Sequence, residues 1–166
     1  MRFLNNFEID NCCISIRDNV IKKHPQYSAH IKFLYLYGCR INELFNNRIS
    51  FDGNTGNVHI IAQKNNNVRV NQMINSEVPE LVEKIQLTQD NLWLNKRNLQ
   101  RCILDANPYR SIFCGQKNIG AHLFRHNWIK KQVADGKQIE TINLMLGYTT
   151  HTVADTYLAS KIHILT

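Results

Sequence analysis

The sequence predicts an α+β domain that is mainly α, with a small antiparallel three-stranded sheet set between helical segments. Three observations carry this. Three strand-like runs follow one another in one stretch, 48–72, where they alternate with turns rich in Asp, Asn and Gly. Apolar residues at helical spacing precede that stretch and follow it. Glycines fall where those helical runs stop, at Gly38, Gly136 and Gly147.

Taken in order, residues 1–27 read as an unassigned N-terminal extension. Cys12–Ile16 is expected as a short strand and Asp18–Lys23 as a helical turn ending before Pro25, since the residue before proline disfavours the helical region. A single unit, 28–166, follows. Ser28 suits a helix N-cap, Ile31–Tyr37 is apolar, and Gly38 stops the helix. A short helix is expected over Asn42–Asn46. The strand candidates are Arg48–Phe51, Val58–Ala62 and Val68–Gln72, joined by Asp52-Gly53-Asn54-Thr55-Gly56 and Lys64-Asn65-Asn66-Asn67. Helices are expected again at Val78–Leu87, with Pro79 in the first turn, and at Leu94–Leu104. A long helix runs from about Gly120 to Ala134. On it Leu123, Phe124, Ile129 and Val133 are expected to face the core while His122 and Arg125 stay accessible. Ile139–Leu146 forms a shorter helix, and Thr150 or Thr152 opens a last one carrying Tyr157.

Composition narrows the class. A chain of 166 residues with 43% hydrophobic content can bury one core. No apolar run approaches the 18 or more residues of a membrane-spanning helix. The N-terminal residues lack the apolar centre of a signal peptide, so an intracellular protein is expected. The five cysteines (12, 13, 39, 102 and 114) show no metal-ligand spacing and are expected as reduced, partly buried thiols. The net charge of +7 points to a polyanionic partner. Without a basic amphipathic helix to suit a membrane surface, nucleic acid is the expected one.

The chemistry concentrates in His122-Leu123-Phe124-Arg125. Residues three apart share a helix face, so this run presents an imidazole beside a guanidinium. The guanidinium fork holds phosphate oxygens while the imidazole handles a proton, which suits a phosphodiester. Tyr157, on a later helix, could supply a nucleophile. His126, one turn on, raises a metal alternative, which the missing glutamate of a His-Glu-x-x-His motif and the intervening Arg125 cation oppose. Upstream, Gly38-Cys39-Arg40-Ile41-Asn42-Glu43 puts a second arginine just after an apolar helix. Read alone, Arg40 and Glu43 could be a surface pair, Lys64 an ordinary turn lysine, and Tyr157 a core tyrosine.

Together, Arg40, Glu43, Lys64, the His122/Arg125 pair and Tyr157 resemble the catalytic domain of the tyrosine recombinases, or phage integrase family, from about Ser28 to Leu158. The resemblance implies site-specific DNA cleavage and rejoining through a 3′-phosphotyrosyl intermediate. It makes Tyr157 the nucleophile, Arg40 and Arg125 the phosphate ligands, and Lys64 the general acid on the departing 5′ oxygen. Glu43 matches the acidic residue that follows the first arginine, and His122 becomes the proton acceptor or hydrogen-bond partner. Arg69, near Lys64, is expected as a further fixed cation toward DNA. Tyr148 departs from the family pattern: histidine or tryptophan usually stands nine residues before the nucleophile, and tyrosine keeps a ring and a donor without an imidazolium.

The implied partners are double-stranded DNA and further copies of the chain, as a tetramer on synapsed DNA. No cofactor is implied, because the covalent intermediate conserves the phosphodiester energy. The family's separate N-terminal DNA-binding domain has no counterpart in residues 1–27, so a further domain or partner protein could supply it. The implied location is the cytoplasm, the nucleoid, or the compartment where a mobile element or virus replicates. Two alternatives remain open. Type IB topoisomerases share the chemistry but carry lysine where His122 stands, and a DNA-binding protein of this fold could have lost catalysis, as Tyr148 would allow.

Overall fold

The computed structural model describes residues 2–63, 66–110, 120–147 and 163–164. Helix α1 (Asn6–Lys23) opens on a reciprocal cap. Asn5 Oδ1 accepts from the Glu8 backbone N–H at 2.8 Å, and Glu8 Oε1 accepts from that of Asn5 at 3.1 Å. Its buried residues are Ile9, Cys12, Cys13, Ile16 and Val20. This corrects the strand expected at Cys12–Ile16. Five residues of β-branched and cysteine character look strand-like alone, but the spacing from Ile9 to Val20 is that of one helix face. The same residues belong to the main core, so the extension packs into the domain.

Helix α2 (Ser28–Tyr37) begins at Ser28, with Tyr27 in the cap position, and is buried on most sides. It ends at Gly38, whose φ of 59° is left-handed. A Cβ there would stand 2.4 Å from Trp128 Cβ, so only glycine lets α2 close on the helix that carries Trp128. The helix expected over Asn42–Asn46 is a 3-10 turn, Ile41–Leu44, and Asn46 and Asn47 then take positive φ. Asparagine tolerates that region and reverses the chain into the sheet.

Strands β2 (Ile49–Asp52), β3 (Asn57–Ile61) and β4 (Val68–Gln72) pair antiparallel in sequence order, with Ile49 opposite Ile60 and Ile60 opposite Arg69. In β4 the alternation runs against hydrophobicity, with Arg69 and Asn71 facing in and Val68 and Val70 exposed. A second pairing, absent from the expectations, joins β1 (Arg2–Phe3) to β5 (His163–Ile164). It brings the two ends of the chain together.

Helix α3 (Val78–Leu87) lies on α2 and β2, and α4 (Lys96–Ala106) packs on α1. Helix α5 (Ala121–Ala134) packs on both α1 and α2. Leu123, Phe124 and Ile129 are buried as expected, but Val133 is exposed because it stands in the last turn, beyond the core. Helix α6 (Ile139–Met145) adds Ile142, and Leu146 just after it, to a smaller cluster with Trp128 and Ile129. Gly147 follows with a φ of 84°. The architecture is mainly helical with a three-stranded antiparallel sheet. Among the described residues no helix is long and apolar enough to cross a membrane.

Candidate active site

Two residues past Gly38, Arg40 stands in extended backbone at the head of the 3-10 turn. Glu43, 1% exposed, fixes that position. Its Oε1 accepts from the Arg40 backbone N–H at 2.8 Å and its Oε2 from that of Gln63 at 2.9 Å. One buried carboxylate therefore ties the arginine's segment to the hairpin end just before Lys64. Both oxygens are occupied by backbone donors, so Glu43 positions the site from behind.

Helix α5 brings His122 and Arg125 to the same place. Arg125 is buried, which corrects the expectation that it stays accessible: its Nη1 donates to the Gly38 carbonyl at 3.1 Å. The approach of Gly38 to Trp128, one turn along from Arg125, is what brings these groups within reach. A pocket of about 150 Å³ results, lined by Arg40, His122, Arg125, Gln63 and, from α4, Lys96 and Gln100. Burial, and then the positive charges of Arg40, Arg125 and Lys96, hold the His122 imidazole below its usual pKa. His122 is therefore neutral at pH 7 and can accept a proton.

Cys39 also lines the pocket. Burial pushes its thiol up to about 12, so it is protonated and unsuited to be a nucleophile. Cys12, Cys13, Cys39 and Cys102 are all free and buried. His126, one turn along α5 from His122, is buried, and burial lowers its pKa to about 4. No cluster of three or more potential metal-binding side chains occurs among the described residues.

Arg69 corrects another expectation. It is fully buried and cannot face DNA. Its Nη2 donates to the Tyr37 carbonyl at 3.1 Å, its Nε donates to the Met145 carbonyl, and its guanidinium lies 5.5 Å from the Trp128 ring centroid. It satisfies carbonyls at the C-terminal ends of α2 and α6, where a cation is favoured. Lys64, Tyr148 and Tyr157 lie outside the described residues. Gln63 and Gly147, which adjoin Lys64 and Tyr148 in sequence, are described. Gly147 packs against Ala62 and Arg69 at the base of the hairpin, and its carbonyl accepts from Asn67 Nδ2 at 3.2 Å.

Lys96 and Gln100 were not among the sequence candidates. Their signal was faint: two polar residues four apart at a helix start, beside the apolar positions Leu99 and Ile103.

No protein-family model matches the chain, and no curated protein matches it. Solved structures do. XerA recombinase superposes with a TM-score of 0.66 at 17% identity, over 95% of this chain and 58% of that one. A lambda integrase dimer bound to a COC′ core site gives 0.65 at 12% identity, over 93% and 58%. XerH site-specific recombinase bound to difH substrate, in a pre-cleavage complex, gives 0.62 at 17%, over 94% and 49%. The fold is that of the tyrosine recombinase catalytic domain. The chain spans roughly half to three-fifths of the length of the chains it matches.

Proposed function

We propose that this domain cleaves and rejoins DNA strands site-specifically through a covalent phosphotyrosyl intermediate. The observation that carries the reading is the convergence of Arg40, His122 and Arg125 on one pocket from distant segments. Two guanidinium groups suit the nonbridging oxygens of a phosphodiester and the charge that grows on them as a fifth oxygen approaches phosphorus. The neutral His122 suits a proton acceptor or a hydrogen-bond partner of the attacking phenol.

In the proposed step the Tyr157 phenol oxygen bonds to phosphorus and gives up its proton. The bond from phosphorus to the 5′ oxygen breaks, and Lys64 protonates that oxygen as it leaves. A 5′ hydroxyl from another strand reverses the sequence and releases Tyr157. The phosphodiester energy is retained throughout, so the chemistry calls for neither a metal nor a nucleotide. Tyr148 would donate through its hydroxyl near the phosphate, and Glu43 holds Arg40 and the hairpin end. Double-stranded DNA is the proposed partner, with self-association on synapsed sites. His122, where type IB topoisomerases carry lysine, favours recombination over relaxation.

The test is covalent trapping on a pool of nicked duplexes of randomised sequence, read on a denaturing gel. The wild type is expected to form an adduct. Tyr157→Phe is expected to form none while binding DNA almost unchanged. An adduct that persists in Tyr157→Phe would remove Tyr157 from the mechanism, and a wild type that forms none would overturn the covalent reading.

A further inference from the structure

The pocket holds a cation that the proposed reaction has not used. Lys96 is the first residue of α4, and it lines the same pocket as Arg40, His122 and Arg125. Gln100, one turn along, lines it too. Leu99, Ile103 and Ala106 of α4 are buried in the core, and Lys96 and Gln100 flank that buried face, so the packing that fixes the helix's rotation also fixes Lys96 at the pocket. Its start is fixed as well, since Asn95 caps it by accepting from the Asn98 backbone N–H at 2.9 Å.

The placement is costly for the protein by itself. Lys96 and Arg97 occupy the first turn of α4, the positive end of the helix dipole, and no acidic residue stands in that turn. No described acidic side chain forms an ion pair with Lys96. Within the pocket its neighbours are two arginines and an imidazole, so it adds repulsion there also, and its charge contributes to holding His122 neutral. Packing does not account for it, because the residue is exposed where it lines the pocket. An anion in the pocket would turn each of these repulsions into an attraction.

We propose that Lys96 is a phosphate-binding residue of this pocket, contacting the DNA backbone beside Arg40 and Arg125, with Gln100 as a neutral hydrogen-bond donor next to it. The inference rests on reading the pocket as a phosphodiester site.

Two readouts test it. The first is the salt dependence of binding to a duplex oligonucleotide, which needs no catalysis. Lys96→Ala is expected to reduce the slope of log K against log salt by about one phosphate contact, while Lys96→Arg retains the wild-type slope. Lys84→Ala, which removes a charge paired with Glu80, is expected to leave the slope as in the wild type. The second is covalent trapping, where Lys96→Ala is expected to slow adduct formation about tenfold or more, the loss of one charged hydrogen bond felt in the transition state. Thermal unfolding of Lys96→Ala should be unchanged or shifted upward, because a cation has left the positive helix end.

A Lys96→Ala slope equal to that of the wild type overturns the assignment, whatever the adduct assay shows. An equal loss of slope in Lys84→Ala overturns it too, since net charge would then explain the effect. A wild type that binds DNA with the expected slopes but forms no adduct overturns the covalent reading alone and leaves the Lys96 contact standing.

Discussion

Arg125 Nη1 donates to the main-chain carbonyl of Gly38 at 3.1 Å, across 87 residues of chain. The bond does two things at once. It orients the guanidinium of a residue that lines the pocket, and it anchors the segment that leads two residues on to Arg40. The two candidate phosphate ligands are thus set relative to each other through a backbone atom, and the glycine that permits the approach is as much a part of the site as the arginines.

From this relationship Arg125→Lys is expected to behave as a loss and not as a conservative change. An ammonium cannot hold the Gly38 carbonyl and a phosphate with the fixed fork of a guanidinium. Losing one charged hydrogen bond in the transition state costs about 2–3 kcal/mol, or roughly a 30- to 150-fold slower adduct formation. Single-turnover trapping measures it. A lysine variant within threefold of the wild type would mean that the fork geometry is irrelevant.

Arg69→Met is expected to destabilise the domain by roughly 2–4 kcal/mol in urea unfolding, because buried carbonyls at Tyr37 and Met145 lose a charged donor. The salt dependence of DNA binding should not change, since the guanidinium is fully buried. A variant with wild-type stability and a reduced salt slope would return Arg69 to the DNA-facing role expected from sequence.

The His122 ring should titrate below the unperturbed value of about 6.5 in an NMR pH series. Arg40→Ala should move that midpoint upward, because one of the charges that disfavour the imidazolium has gone. A wild-type midpoint at or above the unperturbed value would take away the neutral acceptor at pH 7.

His30 gives the fold a pH dependence of its own. Its Nε2 lies 3.1 Å from Thr88 Oγ1, and that hydroxyl donates to the Ile85 carbonyl. The hydroxyl therefore accepts, Nε2 carries the hydrogen, and Nδ1 is a buried bare nitrogen. Burial lowers the folded pKa to about 4. Between that value and the unfolded value of about 6.5 the unfolded chain binds more protons, so stability is present above the window and falls as pH drops through it. The size is on the order of 2–3 kcal/mol. His30→Phe should flatten urea-unfolding free energy over the window relative to the wild type. Identical pH slopes in the two proteins would remove His30 as a source.

The sequence by itself determined the order of elements from α2 to α6, the helix stops at Gly38, Gly136 and Gly147, and the candidacy of Arg40, Glu43, His122 and Arg125. These are local properties: periodicity, turn chemistry and the spacing of a few polar residues. Tertiary structure decided the rest, for a physical reason in each case. Helix α1 was hidden because five strand-like residues outweighed a face that spans Ile9 to Val20. Arg69 read as a surface cation because nothing local shows that the carbonyls of Tyr37 and Met145 wait beside it. Glu43's partner Gln63 and the pocket's Lys96 lie on other elements, and only packing brings them in. Burial and hydrogen-bond completion are set between segments distant in the chain, so whether a polar residue faces DNA or braces the core is decided in the folded domain.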